Sequence, residues 1–106
     1  MMSLRGKKLG LLLSSPPGQP SFQHGLRLAE IALQEGLDVY VYCVDEAVRG
    51  LAEPRLQSLA ARGLKLYACA YGAQRRHIER NDLAAFAGLA SLSDLMTATD
   101  RFLSFN

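Results

Sequence analysis

The hydrophobic positions of this chain form short continuous runs that are separated by turn residues and by stretches of helical spacing. Leu9–Leu13 is apolar throughout, and Val39–Val44 is rich in β-branched and aromatic residues. Such runs are typical of strands that are covered on both faces of a parallel sheet. A third run, Leu64–Cys69, ends in a cysteine. We therefore predict three buried strands in the first part of the chain.

Between these strands the apolar residues recur every three or four positions, which predicts helices. The first helix is predicted from about Phe22 to Glu35, with Ser21 as its N-cap and Gly36 as its left-handed stop. The second is predicted over Pro54–Arg62 and is followed by another glycine. Strands and helices therefore alternate along the chain.

The last part of the chain continues this alternation. We predict a helix over Gly72–Arg80, a short apolar piece at Phe86–Gly88, and a helix that Ser91 or Ser93 caps. Arg101–Phe105 is predicted to be the closing strand. Because crossovers between parallel strands are right-handed and cover the sheet, the order predicts a three-layer α/β/α fold with a mostly parallel sheet of about five strands.

The composition indicates a single domain over residues 1–106. Hydrophobic residues make up 49% of the chain and charged residues 21%, as in ordinary globular proteins. A chain of 106 residues has room for one hydrophobic core. The net charge is only +2 and the basic residues are scattered, so we expect no direct binding of nucleic acid.

The amino-terminal residues resemble a secretory signal only superficially. Arg5, Lys7 and Lys8 precede an apolar run that is shorter than the roughly 7 residues such a signal needs. No stretch approaches the roughly 18 apolar residues of a membrane-spanning helix. We therefore expect a cytoplasmic protein without a membrane partner, in which Cys43 and Cys69 are both reduced.

Candidate chemistry centres on Cys69, because ligands of an open parallel sheet bind at the carboxyl ends of its strands. A helix that begins near Gly72 would direct its amides toward the sulfur. Lowering a thiol pKa from about 8.5 to about 7 requires roughly 2 kcal/mol, which a helix terminus and one cation from Arg75, Arg76 or His77 can supply. Two interpretations stay open, a reactive thiolate and a structural buried cysteine, and the arginines can equally form a solvated helix face.

The remaining candidates receive simpler interpretations. Cys43 ends a strand that is apolar on both faces, which favours buried packing; the alternative is a resolving thiol that forms a disulfide with Cys69. His24 and His77 lack metal-ligand spacing to the cysteines, so we expect no metal.

The loop after the first strand is rich in proline. It lacks the pattern of a phosphate loop, and Pro16, Pro17 and Pro20 remove amide donors that a nucleotide or flavin would need. We therefore expect no cofactor. Pro16 and Pro17 are interpreted as a stiff lip beside the site.

Several segments resemble the DsrE/DsrF-like (TusD-like) sulfur relay family. The strongest likeness is the run Arg-Gly-Leu-Lys-Leu-Tyr-Ala-Cys at Arg62–Cys69, and the resemblance covers nearly the whole chain. The other segments that carry it are Lys8–Leu13, Gly25–Ala29, Val39–Tyr42, Ala87–Leu92 and Asp100–Phe105.

In that family a cysteine at this place receives and passes on sulfane sulfur as a persulfide, so the resemblance implies that Cys69 is the catalytic carrier. It also implies sulfur-donor and sulfur-acceptor proteins as partners. The subunits would assemble as homo-oligomers, trimers or hexamers, or as hetero-oligomers with homologous subunits. The substrate-binding residues predicted around the cysteine are Tyr71, Gly72, Arg75, Arg76, Pro16 and Pro17.

Two functions of different classes follow from the sequence. The first is a sulfur carrier or sulfurtransferase that acts through Cys69. The second is a non-catalytic oligomeric subunit, or a small-ligand-binding module of the same fold.

Overall fold

The computed structural model describes residues 4–106. In that part of the chain the strands are β1 Lys8–Leu13, β2 Asp38–Cys43, β3 Lys65–Cys69, β4 Ala85–Ala87 and β5 Arg101–Phe105. The α-helices are α1 Pro20–Gln34, α2 Pro54–Ala61, α3 Ala70–Arg75 and α4 Leu89–Ala98, and a 3₁₀ helix spans Asp45–Gly50 after β2. No helix within residues 4–106 is long and apolar enough to cross a bilayer.

The strands form one five-stranded sheet in the order β4-β3-β2-β1-β5, and every neighbouring pair is parallel. The chain steps from β1 through β2 and β3 to β4, and then returns across the sheet to place β5 beside β1. With right-handed crossovers, the stepwise helices cover one face and α4 returns over the other. The predicted α/β fold with a parallel sheet of five strands is confirmed.

The hydrophobic core lies between the sheet and helices α1 and α2. Alternate residues of β1 and β2 point to this face, because successive strand residues face opposite sides. Burying a large aliphatic or aromatic side chain contributes about 1.5–3 kcal/mol, so this face supplies much of the hydrophobic stabilisation. Its buried side chains include Leu9, Leu11, Leu13, Phe22, Leu26, Val39, Val41, Leu56 and Leu59.

Helix α4 covers the opposite face only in part. Its Leu95 lies beside Tyr42 and Tyr67, whose rings stack with their centroids 6.4 Å apart. None of the residues of α4 is buried, and Leu89 and Met96 are 61% and 51% exposed. An apolar helix with this exposure leaves a surface that another chain can cover.

The helix ends show where local signals decide the structure. Gly36 and Gly63 have φ of 86° and 114°, which confirms them as left-handed stops. Helix α1 begins at Pro20 and has no side-chain cap, so the prediction of Ser21 as N-cap was wrong. Proline is favoured at the first helical position because its fixed φ suits the helix.

Two later helices also differ from prediction. Helix α3 ends at Arg75 rather than Arg80, because His77 takes a left-handed φ of 57° and the Ile78 amide closes on the Ala73 carbonyl at 2.9 Å. Helix α4 is capped by Gly88 and begins before both serines that were predicted to cap it. Both helices also begin closer to the preceding strand than predicted, α3 at Ala70 and α4 at Leu89.

The close approach of β5 to β1 predicts a strong effect of one substitution. A Cβ added at Gly10 would lie 2.5 Å from Cδ2 of Phe102, so Gly10→Ala forces β5 or the ring to move. We expect a loss of about 1–3 kcal/mol in the free energy of unfolding, measured by urea denaturation.

The matched control is Gly18→Ala. A Cβ there has no heavy atom within 4 Å, so the change should stay within about 0.5 kcal/mol. Equal stability of both variants would contradict the packing of β5 described above.

Candidate functional site

Cys69 is the last residue of β3 and the N-cap of α3. Its Sγ accepts a hydrogen bond from the backbone amide of Gly72 at 3.3 Å, and only 5% of the residue is exposed. The side chain points to the face of the sheet that α4 crosses, since Cys69 alternates with the core residue Ala68. The sulfur thus lies at the carboxyl edge of the sheet, where the sequence predicted it.

A cleft of about 600 Å³ opens beside this sulfur. It brings together Cys69 and four of the predicted substrate-binding residues with the end of β2 and the first turns of α4. The residues that line it are Val44, Asp45, Glu46, Cys69, Tyr71, Gly72, Arg75, Arg76, Leu89 and Leu92.

Arg76 ties α3 to the 3₁₀ helix. Its Nε donates to Oε2 of Glu46 at 2.5 Å, and its Nη1 donates to the Gly72 carbonyl at 3.1 Å. Arg49 donates to the other carboxylate oxygen at 2.8 Å. The hydrogen bonds that the Glu46 carboxylate accepts from Arg76 and, secondarily, from Arg49 hold the pKa of Glu46 below its usual value. The positive charge of Arg76 is therefore matched by a carboxylate rather than directed at the sulfur.

Arg75 and Tyr71 form an exposed pair at the mouth of the cleft. The guanidinium lies 5.8 Å from the centroid of the Tyr71 ring, and Nη1 is 3.5 Å from the hydroxyl. Tyr71 is 62% exposed. His77, considered from the sequence as a third cation, is exposed beyond the end of α3 and does not line the cleft.

Pro16 and Pro17 do not line the cleft. They follow β1, which β2 separates from β3. The carbonyl of Pro16 accepts from the Gln19 amide at 3.0 Å, and that of Pro17 accepts from the Gln23 side chain at 2.8 Å. These prolines therefore shape the turn into α1, and their interpretation as a lip beside the site is corrected.

Cys43 is sealed inside the core. It pairs with Ala68 in the sheet and is fully buried, and burial raises the pKa of its thiol to about 12. Because paired residues of parallel strands point to the same face, Cys43 and Cys69 point to opposite faces. Both thiols are free, so the alternative of a disulfide between them does not fit this geometry.

Metal ligands are the remaining possibility raised by the sequence. Within residues 4–106 no group of three or more histidine, cysteine, aspartate or glutamate side chains is arranged to hold a metal ion.

Tyr42 is a residue of this region that the sequence reasoning missed. It is fully buried, and its hydroxyl lies 3.0 Å from the Ala87 carbonyl and 2.9 Å from the Gly88 carbonyl. Burial, and secondarily an electrostatic interaction with Cys69, raise the pKa of Tyr42 to about 12. The phenol is thus a neutral hydrogen-bond donor close to the candidate sulfur.

Comparison with known proteins agrees with the resemblance of the sequence segments. The sequence profile of the DsrE/DsrF-like family matches residues 7–105. This chain belongs to the DsrE/DsrF-like family. Proteins of the DsrE/DsrF-like family are generally related to sulfur relay.

A solved structure of the same fold is the ychN protein from E. coli. It superposes with a TM-score of 0.77 at 21% sequence identity, covering 94% of this chain and 99% of the other. At 21% identity this likeness shows that the two chains share a fold, and nothing more. Curated protein sequences give no significant match.

The two cysteines are expected to differ in reactivity. In the native protein near neutral pH, iodoacetamide should modify Cys69, which borders the cleft, and spare Cys43, whose neutral thiol is sealed in the core. Peptide mapping by mass spectrometry measures both sites. Unfolding in urea should make both react, and native labelling of Cys43 would contradict the described burial.

The Glu46 carboxylate predicts a pH-dependent stability. Because the pKa of Glu46 is lowered in the folded protein, its contribution is present above the unfolded value of about 4.3 and is lost as the pH falls through the lower folded value. Glu46→Gln should therefore lower the free energy of unfolding at neutral pH, modestly because the pair is partly exposed.

The difference between Glu46→Gln and the unsubstituted protein should shrink in acid, as measured by urea denaturation at several pH values. Glu79→Gln removes an exposed carboxylate and serves as the control, with a smaller effect expected at neutral pH. A difference that stays constant or grows on acidification would contradict the ion pair with Arg76.

Proposed function

We propose that this protein is a sulfur carrier or sulfurtransferase that accepts sulfane sulfur as a persulfide on Cys69 and passes it to an acceptor thiol. The observation that supports this most strongly is the position of the Cys69 sulfur, which borders a cleft and receives a hydrogen bond from the Gly72 amide. A thiol placed only for core packing would face apolar side chains instead, as Cys43 does. Membership of the DsrE/DsrF-like family supports the same function.

The chemistry is an exchange of sulfur without net oxidation. The thiolate of Cys69 attacks the terminal sulfur of a donor persulfide, a new S–S bond forms, the donor S–S bond breaks, and the donor leaves as a thiolate. An acceptor thiolate then attacks the terminal sulfur held on Cys69. Cys69 departs as a thiolate and is ready for another cycle.

The walls of the cleft suit an anionic sulfur. The amide of Gly72 donates to Sγ and can stabilise negative charge there. Arg75 and Tyr71 at the mouth offer a cation and an exposed ring to an incoming donor. Leu89 and Leu92 form an apolar wall of the cleft.

The exposed apolar side chains of α4 support assembly with a second copy or a homologous subunit. Leu89 and Met96 are more than half exposed on a helix that has no buried residue. Covering them would bury surface that the single chain leaves in contact with water. We propose such an oligomer, acting in the cytoplasm where both thiols stay reduced.

A second function is a non-catalytic subunit or small-ligand-binding module. The near-complete burial of Cys69, which is only 5% exposed, favours this second function. The role of its sulfur as the N-cap of α3 favours it as well. A cleft of about 600 Å³ is also within the size range of small-molecule sites. In this case Cys69 would have a structural role alone.

Sulfur loading distinguishes the two functions. After incubation with a low-molecular-weight persulfide, intact-mass analysis should show one added sulfur atom that a reductant removes. Cys69→Ser should abolish this addition of sulfur. It should keep the fold, measured by circular dichroism, because the serine hydroxyl can still accept a hydrogen bond from the Gly72 amide.

The matched control is Cys43→Ala, which removes the other thiol of the chain and should load normally. Loading that persists in Cys69→Ser, or that is lost in Cys43→Ala while the protein stays folded, would contradict the assignment. Absence of loading on the unsubstituted protein would favour the non-catalytic function.

A further inference from the structure

Tyr42 connects the interior of the sheet to the wall of the cleft. In the register of the strands it lies opposite Tyr67, while Cys69 lies opposite Ala87. The Tyr42 hydroxyl reaches the carbonyls of Ala87 and Gly88, two strands away. Its side chain therefore crosses β3 on the face that Tyr67 and Cys69 share, and runs toward the carboxyl edge.

The segment that receives this hydroxyl is short and has two other attachments: Phe86 packs against the core, and the Gly88 carbonyl also accepts a hydrogen bond from the Ser91 amide at 3.1 Å. Strand β4 has three residues at the edge of the sheet and pairs with β3 over three positions. Gly88 caps α4 without a side-chain hydrogen bond, and none of the residues of α4 is buried. The hydrogen bond from the fully buried Tyr42 phenol therefore adds a long-range attachment at the point where α4 begins.

The beginning of α4 is also the apolar wall of the cleft. Leu89 follows Gly88 directly, and Leu92 comes three residues later, so both face the same side of the first turn. Both line the cleft with Cys69. Any movement of Gly88 therefore changes the gap between this wall and the sulfur.

We propose that Tyr42 is a positioning residue for Cys69: by holding the carbonyls of Ala87 and Gly88 it sets the opening of the cleft and thus the size of the reagent that reaches the sulfur. A phenol carries one proton and donates it to one of the two carbonyls at a time. Whether it donates to the Ala87 or to the Gly88 carbonyl, the Tyr42 hydroxyl holds the junction between β4 and α4. The proposal extends the proposed function, since the sulfur it controls is the one assigned to sulfur transfer.

Tyr42→Phe tests the proposal, because it keeps the ring and removes only the hydroxyl. The rates at which Cys69 reacts with a small reagent, iodoacetamide, and a bulky one, a fluorescein maleimide, are measured by peptide mapping. We expect the ratio of the bulky rate to the small rate to rise roughly fivefold, the factor that corresponds to one typical net hydrogen bond. A merely structural loss of stability would not discriminate between reagents by size.

Tyr67→Phe is the matched control, since its ring lies on the same face and stacks on that of Tyr42. Its rate ratio should stay close to that of the unsubstituted protein. An unchanged ratio in folded Tyr42→Phe, or an equal rise in both variants, would overturn the proposal.

A second measurement covers the case in which Tyr42→Phe does not fold. The unsubstituted chain is labelled with 3-fluorotyrosine. Separate variants, in which each of the other tyrosines is replaced by phenylalanine, assign the Tyr42 resonance by elimination. Modification of Cys69 with the bulky maleimide should displace α4 and shift this ¹⁹F resonance more than carboxamidomethylation does. Equal shifts, or none, would contradict the proposal.

These experiments use synthetic electrophiles and are independent of sulfur loading. If Cys69 loads sulfur and the rate ratio is unchanged, the positioning role fails while the proposed function stands. If the ratio changes and no sulfur is loaded, the positioning role stands while the proposed function fails.

Discussion

The parallel register of β2 and β3 determines the chemistry available to this protein. Because Cys43 pairs with the core residue Ala68, the Cys43 thiol points into the core. Cys69, the next residue of β3, points to the opposite face. A shift of one residue would exchange the two faces, because strand side chains alternate. If β3 shifted in this way, its core residues Leu66 and Ala68 would face the partly covered side, which makes such a shift costly. Hydrophobic burial thus fixes which sulfur reaches the cleft.

Three separate segments complete the surroundings of that sulfur. The Gly72 amide comes from α3, the Glu46 to Arg76 ion pair fastens α3 to the end of β2, and Leu89 and Leu92 come from the start of α4. Each segment follows the carboxyl end of a different strand, as expected for a site on an open parallel sheet. The site is therefore a product of strand order, and its residues are distant in the sequence.

The sequence was informative wherever one segment decides its own structure. Apolar runs located β1, β2 and β3, and Gly36 and Gly63 marked the helix ends because each must take a positive φ. Such local patterns do not indicate the order of the strands in the sheet. Pro16 and Pro17 were consequently assigned to the site although β2 lies between them and β3, and Leu89, Leu92 and Tyr42 were missed. Tyr42 and Gly88 are 46 residues apart, and no periodicity signals that contact.

A crystal structure of the protein after treatment with a low-molecular-weight persulfide tests the central claim most directly. The account predicts electron density for one additional sulfur bonded to Sγ of Cys69, directed into the cleft between Gly72 and Leu92, with Cys43 unmodified in the core. Additional density on Cys43, or an unmodified Cys69 in a crystal whose protein carries the added sulfur by mass, would contradict it.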